Sequence, residues 1–179
     1  MNRLRDIYQK EIVKTLAKEF GTKNLHALPK LSKIIVNVGI GSLIKNKEAK
    51  DLLVKDIMLI TGQKPSERRA RISVATFSVR EGMVVGLALI LRGERMYDFF
   101  DKFVNITLPR LRDFRGVSRK SFDKSGNYTI GLTDHTVFPE IDVSKSAQPH
   151  GLEITFVSNA GSIEKGARLL ELLGMPFEK

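Results

Sequence analysis

The sequence predicts an α+β fold, in which helices pack on one face of a mostly antiparallel sheet. Alternating apolar stretches typical of strands are mixed irregularly with stretches of helical spacing. The 179 residues suit one domain, so we expect a single domain over residues 1–179. Hydrophobic residues make up 42% and cysteine is absent, so the core has to form without disulfides.

Two helices and one strand are predicted before residue 62. Apolar residues three or four apart predict a helix over residues 2–20, and Asn46 can cap a second helix that runs to Thr61. Between them, strict alternation predicts a strand over residues 31–41. The alternation places Ile34, Val36, Val38 and Ile40 on one face and Ile35, Asn37 and Gly39 on the other.

A basic segment, a strand and a helix follow. Residues 64–80 start with Lys-Pro and alternate loosely, which predicts an edge strand and a loop. Residues 83–92 alternate strongly and predict a strand whose second face is unusually small. Residues 94–106 carry aromatic side chains at helical spacing, which favours a core helix over a cofactor site.

The last third of the chain is predicted to contain a loop, two strands and a helix. Residues 109–126 are rich in arginine and punctuated by glycine, and we expect a long basic loop there. Strands are predicted over residues 128–132 and 151–157, separated by a connector from Asp134 to His150. Ser162 can cap a final helix, which ends before Gly174.

The charge pattern favours a polyanionic partner. The net charge is +10; residues 1–132 hold 26 basic and 13 acidic side chains, whereas residues 133–179 hold 4 and 7. The alternative is that the lysines only make the surface soluble. Arginine is better suited to phosphate than lysine is, because its planar fork donates two hydrogen bonds at once. The arginines cluster in two stretches, with Arg68, Arg69, Arg71 and Arg80 in one and Arg110, Arg112, Arg115 and Arg119 in the other.

No enzyme site is predicted. Gly39 and Gly41 follow a strand but lack the third glycine of a dinucleotide site and the Lys-Ser/Thr of a P-loop. The three histidines lie far apart in the sequence, so we expect surface positions rather than a metal site. There is no Gly-x-Ser-x-Gly and no apolar stretch of membrane-spanning length. We therefore predict no catalytic residue, metal, cofactor, small-molecule substrate or membrane partner.

RNA recognition is the remaining function class. Asn37 and Gln63 carry amides that can donate and accept hydrogen bonds toward base edges or ribose hydroxyls, although such residues are usually satisfied turns or caps. Gly39 and Gly41 would leave a strand end bare for a bulky partner. Phe77 could stack on a base or, alternatively, fold back into the core.

Seven motifs identify a family resemblance when they are taken together and in order. They are VNVGIG at residues 36–41, ITGQKP at 60–65, REG at 80–82, LRG at 91–93 with MY at 96–97, LPRLRDFRG at 108–116, GNY at 126–128 and FPEI at 138–141. The ordered set closely resembles bacterial large-subunit ribosomal protein five, the universal family that binds 5S ribosomal RNA. The resemblance covers essentially the whole chain.

The resemblance implies an α+β ribosomal protein, cytoplasmic and ribosome-bound, that helps attach 5S rRNA in the central protuberance. Its implied partners are 5S rRNA, large-subunit rRNA, neighbouring 5S-binding proteins, P-site tRNA and small-subunit protein thirteen across an intersubunit bridge. Together with the reasoning from residues, it places 5S rRNA contacts at Asn37, Gly39, Gly41, Gln63, Lys64 and Arg92. The loop that reaches P-site tRNA maps to Arg71, Ser73, Val74, Ala75, Thr76, Phe77 and Arg80.

The chain departs from the family pattern in several places. Ile90 stands before Leu-Arg-Gly where the family usually has Thr, so one hydroxyl contact to RNA is absent. Asp134-His135 replaces a Glu-Gln pair, and His150-Gly151-Leu152-Glu153 replaces Arg-Gly-Met-Asp. Two other functions remain open at this point. One is a free RNA chaperone or regulatory RNA-binding protein, and the other is a nucleotide-dependent RNA-modifying enzyme that uses Gly39 and Gly41.

Overall fold

The computed structural model describes residues 3–22, 24–43, 46–142 and 149–178. Five strands form an antiparallel sheet in the order β2-β3-β1-β5-β4. The strands are β1 (Leu31–Gly39), β2 (Ser66–Arg69), β3 (Val84–Leu91), β4 (Tyr128–Leu132) and β5 (Leu152–Ser158). The α-helices are α1 (Arg3–Ile7), α2 (Val13–Glu19), α3 (Lys47–Thr61), α4 (Gly93–Lys102) and α5 (Ile163–Leu172). The predicted α+β class is confirmed.

The chain forms two compact units. Unit 1 holds Met1–Ile34, Leu91–Ile130 and Thr155–Lys179, and unit 2 holds Ile35–Ile90 and Gly131–Ile154. The extent of the functional domain, residues 1–179, stays a prediction. Within the described residues, no helix is long and apolar enough to cross a membrane.

The helices of unit 1 include π-helical turns that the sequence did not indicate. A π-helical turn over Tyr8–Ile12 joins α1 to α2, so the predicted first helix is interrupted. A second one, Phe103–Thr107, follows α4 and leads into a 3-10 turn over Leu108–Arg110. Pro109 lies in the first turn of that 3-10 helix, where its missing N–H has no partner to lose.

An aromatic cluster fills the core of unit 1. Phe156 of β5 meets Phe100 edge-on, with ring centroids 5.3 Å apart, and Phe103 at 5.7 Å. Tyr128 is 1% exposed and lies 6.5 Å from Phe156, and its hydroxyl donates to the Ser118 carbonyl oxygen at 2.9 Å. The helical spacing of the phenylalanines after residue 94 is therefore a core pattern, as predicted.

The alternation of β1 carries into unit 2 as predicted. Val36, Val38 and Ile40 are buried, whereas Asn37 is half-buried and Gly39 exposed. The buried residues of α3 are Leu53, Ile57, Ile60 and Thr61. The Asn46 side chain caps α3 by accepting from the Ala49 N–H at 3.1 Å, and Gly62 ends the helix in the left-handed conformation with φ 66°.

Two of the three histidines are buried, which corrects the expectation of surface histidines. His135 is fully buried and His150 is 8% exposed, and their ring centroids lie 6.3 Å apart. His135 Nδ1 accepts from the His150 N–H at 3.2 Å, and its Nε2 lies 3.3 Å from Asp56 Oδ2. The predicted connector is described only up to residue 142 and from 149 onward, so its central part lies outside the described residues.

We expect Gly166→Ala to destabilise the protein by about 1–3 kcal/mol, although alanine favours helices. A Cβ at this position of α5 would overlap the Gly126 carbonyl oxygen and lie 2.9 Å from Gly126 Cα. Chemical denaturation checks the prediction. Gly131→Ala is the control, because its Cβ would meet nothing within 4 Å. Equal unfolding free energies for the two variants would contradict the tight contact.

Acid is expected to lower the free energy of unfolding through His150. Burial lowers the pKa of His150, the neighbouring His135 adds to this effect, and the buried Nε2 of His150 has no partner within the described residues. The carboxylates of Asp56 and Asp134 face His135 instead. The unfolded chain therefore binds more protons, so stability is lost as the pH falls through the unfolded value of 6.5.

Denaturation at pH 7.5 and pH 5.5 measures this loss. His150→Gln should reduce the difference between the two pH values, while His26→Gln, at an exposed position, should leave it unchanged. The same pH dependence in all three proteins would show that His150 is not the group responsible.

Candidate nucleic-acid interface

Asn37 lies on the face of β1 that the core does not use. Its neighbours Val36 and Val38 are buried, while the Asn37 side chain is half-buried. The Asn37 Nδ2 donates to Glu153 Oε2 on β5, which neighbours β1 in the sheet, at 3.3 Å. No local sequence pattern indicates this contact, because 116 residues separate the two side chains.

Gly39 and Gly41 leave the end of β1 uncovered. Both are exposed, and a Cβ built on either would meet no atom within 4 Å. Neither has the positive φ that favours glycine. Because packing within the described residues does not require glycine here, these positions give an outside partner access to the main chain.

Gln63 is held firmly at the turn after α3. The Thr61 hydroxyl donates to the Ile57 carbonyl oxygen at 2.6 Å and accepts from the Gln63 N–H at 3.3 Å, and the Gln63 carbonyl oxygen lies 3.0 Å from it. The side-chain Nε2 of Gln63 donates to the Ile90 carbonyl oxygen on β3 at 3.3 Å. Both predicted amides belong to unit 2. Asn37 lies on β1 and Gln63 contacts β3, and these two strands are neighbours in the sheet.

Two basic side chains of the predicted 5S rRNA set are exposed. Lys64 follows Gln63 in unit 2, before the buried Pro65. Arg92 belongs to unit 1, at the N-cap of α4, and its side chain makes no capping hydrogen bond. Five of the six predicted residues therefore belong to unit 2, and Arg92 belongs to unit 1.

The predicted tRNA loop is a closed hairpin with its own hydrogen bonds. Ala70 and Val74 face Met83 and Val79, respectively, across the loop. The Ala70 N–H donates to the Met83 carbonyl at 2.8 Å, and Val74 and Val79 exchange two bonds of 2.8 and 3.2 Å. Between them, Ala75–Phe77 forms a 3-10 turn that ends at Ser78 with φ 53°. The main chain of this loop is thus ordered by the protein itself.

The side chains of the loop project into solvent. Phe77 is 75% exposed, so the alternative in which it folds into the core is wrong. Ile72 is 69% exposed. Arg71 and Arg80 flank the turn and are exposed, as are Ser73, Ala75 and Thr76, whereas Val74 is half-buried. An apolar, basic loop of this kind can stack on bases and pair with phosphates.

The edge strand β2 adds to the positive charge near the loop. It pairs with β3 in the register Ser66↔Ala88 and is bulged between Arg68 and Arg69. Its one acidic residue, Glu67, is bound by Lys50, and this hydrogen bond lowers the pKa of the carboxyl below its usual value. Glu67 also lies 3.8 Å from the Arg69 guanidinium, but one carboxylate cannot neutralise Lys50, Arg68 and Arg69 together, so the net charge here is positive.

One arginine of the second sequence cluster is paired inside unit 1. The Arg119 guanidinium pairs with Glu171 and lies 5.3 Å over the Phe177 ring. Arg119 therefore contributes less to a basic surface than its sequence cluster suggests, whereas Arg110, Arg112 and Arg115 are exposed. Within the described parts of the chain, no three His, Cys, Asp or Glu side chains could hold a metal ion.

Comparison with known proteins defines the class: a structural protein of the large ribosomal subunit, not an enzyme. Residues 24–80 match the family described as ribosomal protein L5, and residues 84–177 match the model of the C-terminus of that family. The chain is 50% identical over 179 residues to the large ribosomal subunit protein uL5 of Carboxydothermus hydrogenoformans, covering 100% of both chains. It is 48% identical to uL5 of Desulforamulus reducens, covering 100% of this chain and 99% of that one. The chain belongs to the ribosomal protein L5 family.

We expect Gly41→Ala to leave the free energy of unfolding unchanged or to raise it by up to about 1 kcal/mol. The added Cβ meets open space, and the unfolded chain loses conformational freedom. Gly82→Ala is a matched control. Its Cβ also meets open space, but its φ of 83° should cost about 1–2 kcal/mol. Thermal and chemical denaturation check both values, and a destabilised Gly41→Ala would mean that the fold itself needs this glycine.

Proposed function

We propose that this chain binds 5S rRNA with the open face of β1 and the turn after α3, and so helps attach 5S rRNA in the central protuberance. The observation that carries the proposal is that unit 2 contains both kinds of feature. The side-chain amides of Asn37 and Gln63 are positioned by hydrogen bonds, and the glycines at the end of β1 are uncovered. Specific RNA contacts need positioned donors and acceptors, and close approach needs bare main chain. Unit 2 offers both.

The basic residues supply the phosphate contacts in this proposal. Lys64 lies beside Gln63, and the exposed Arg92 follows β3 directly in the chain. Exposed guanidinium groups pair with phosphate oxygens, and each such contact adds to the salt dependence of binding. The amides then select among RNAs, and the basic side chains supply much of the affinity.

The hairpin loop is proposed to contact P-site tRNA. Its exposed Phe77 can stack on an unpaired base or a ribose, and Arg71 and Arg80 can reach neighbouring phosphates. The loop is already closed by main-chain hydrogen bonds, so its shape does not depend on the tRNA.

The acidic C-terminal part is proposed to face proteins rather than RNA. Residues 133–179 hold 7 acidic and 4 basic side chains, which suits a basic partner such as small-subunit protein thirteen across the subunit interface. Neighbouring 5S-binding ribosomal proteins and large-subunit rRNA complete the proposed surroundings. In this proposal the protein acts as one domain, ribosome-bound in the cytoplasm.

Gln63→Ala is expected to weaken binding to 5S rRNA by about 0.5–1.5 kcal/mol, the value of one hydrogen bond, because the Gln63 Nε2 is already bound to the Ile90 carbonyl. Binding of the full chain to its own 5S rRNA is titrated across salt, against a tRNA competitor. Arg69→Ala is the contrasting variant, because the Arg69 side chain is 67% exposed, lies as far as 3.8 Å from Glu67 Oε2, and should contribute only a phosphate contact. It should reduce the salt slope and leave the preference for 5S rRNA unchanged.

The same titration separates the proposal from its alternative. A wild-type protein that binds 5S rRNA and unrelated structured RNAs equally would be a general RNA chaperone or regulatory binder. A Gln63→Ala variant that loses only salt-dependent affinity would show that the amide does not select the RNA. Retained selectivity of the wild type at high salt, lost in Gln63→Ala, is the expected result.

A further inference from the structure

The two amides of the proposed RNA surface are both held by their nitrogen atoms. Asn37 Nδ2 donates to Glu153 Oε2, and Gln63 Nε2 donates to the Ile90 carbonyl oxygen, each at 3.3 Å. A carboxylate and a main-chain carbonyl can only accept hydrogen bonds. Turning either amide over would place two oxygen atoms against each other. The chemistry of the two partners therefore fixes which way each amide points.

The carbonyl oxygens of the same amides are unoccupied. Among the described residues, no donor reaches Asn37 Oδ1 or Gln63 Oε1. Each amide oxygen carries two acceptor positions, and a partner that covers it without supplying a donor leaves it unsatisfied. A well-fitting partner must therefore bring donor groups to these two places.

We propose that Glu153 is a positioning residue that, together with the Ile90 carbonyl, makes Asn37 and Gln63 accept hydrogen bonds from RNA. The surface then recognises donor groups of the RNA, which are the ribose 2′-hydroxyl and the exocyclic amino groups of bases. This inference rests on the proposed function, because it specifies what the 5S rRNA surface reads. A-form RNA displays its 2′-hydroxyls in a wide, shallow minor groove, and the guanine amino group is the base donor there.

The negative charge of Glu153 supports a positioning role, because the charge itself would weaken RNA binding. Glu153 is exposed on the face that carries Asn37, and a carboxylate near phosphates weakens binding to RNA. A neutral glutamine of the same size would avoid that repulsion. It would, however, offer both a donor and an acceptor to Asn37, so the amide could turn either way. Only the carboxylate enforces the acceptor orientation.

The test uses the full chain and 5S rRNA transcripts that carry either 2′-deoxy nucleotides or inosine in place of guanosine. For the wild-type protein, single substitutions at the contacted nucleotides should weaken binding by about 2- to 10-fold, the value of one hydrogen bond. We call this loss of affinity on nucleotide substitution the penalty. Asn37→Ala should abolish the penalty at one set of nucleotides, and Gln63→Ala should abolish it at another set. Penalties in the 2′-deoxy arm assign the donor to ribose, and penalties in the inosine arm assign it to the guanine amino group.

Glu153→Gln separates positioning from charge. We expect it to raise affinity for all RNAs at low salt and to reduce the same nucleotide penalties that Asn37→Ala abolishes. Glu164→Gln, which removes an equal charge from α5 at an exposed position, should leave the penalties unchanged. Penalties that persist in Asn37→Ala and Glu153→Gln, while the wild type still selects 5S rRNA, would overturn the inference alone. A wild type without selectivity would overturn the proposed function, and this inference with it.

Discussion

The two-residue period of β1 is the constraint on which the functional surface depends. Val36, Val38 and Ile40 are buried, so the intervening side chains point to the opposite face and are excluded from the core. Asn37 and Gly39 occupy that face without a cost to core packing. A slip of one residue in the register would bury the amide and expose the valines, so the hydrophobic core fixes the position of the polar surface.

Some basic side chains are paired with carboxylates inside the protein, and others remain exposed to a partner. In unit 1, Arg168 binds Glu19 at 2.8 Å and Arg119 binds Glu171, so these arginines join helices and loops. In unit 2, Lys50 and Arg69 both lie against Glu67, the one acidic residue of β2, and the exposed Arg68 adds further positive charge. Exposed ion pairs contribute little to stability, and their larger effect here is to decide which cations remain for a partner.

Local patterns predicted the secondary structure, because alternation and helical spacing depend on adjacent residues. The cap at Asn46 and the open-face position of Asn37 follow from the same short-range rules. The burial of His135 does not follow from short-range rules, because its partners Asp56 and His150 come from distant parts of the chain. The Glu153 contact and the π-helical turns were missed for a related reason: packing, not local propensity, decides them. The assignment of 5S rRNA contacts rests on the family resemblance as much as on spacing.

The hairpin loop has a consequence for the newly made chain before it meets any partner. Ile72 and Phe77 are 69% and 75% exposed within six residues of sequence, on a loop whose main chain is already closed. Folding does not hide them, so the completed protein still carries apolar side chains that attract other apolar surfaces. Chains made in excess of ribosomes would keep these two side chains in contact with water, where they favour self-association.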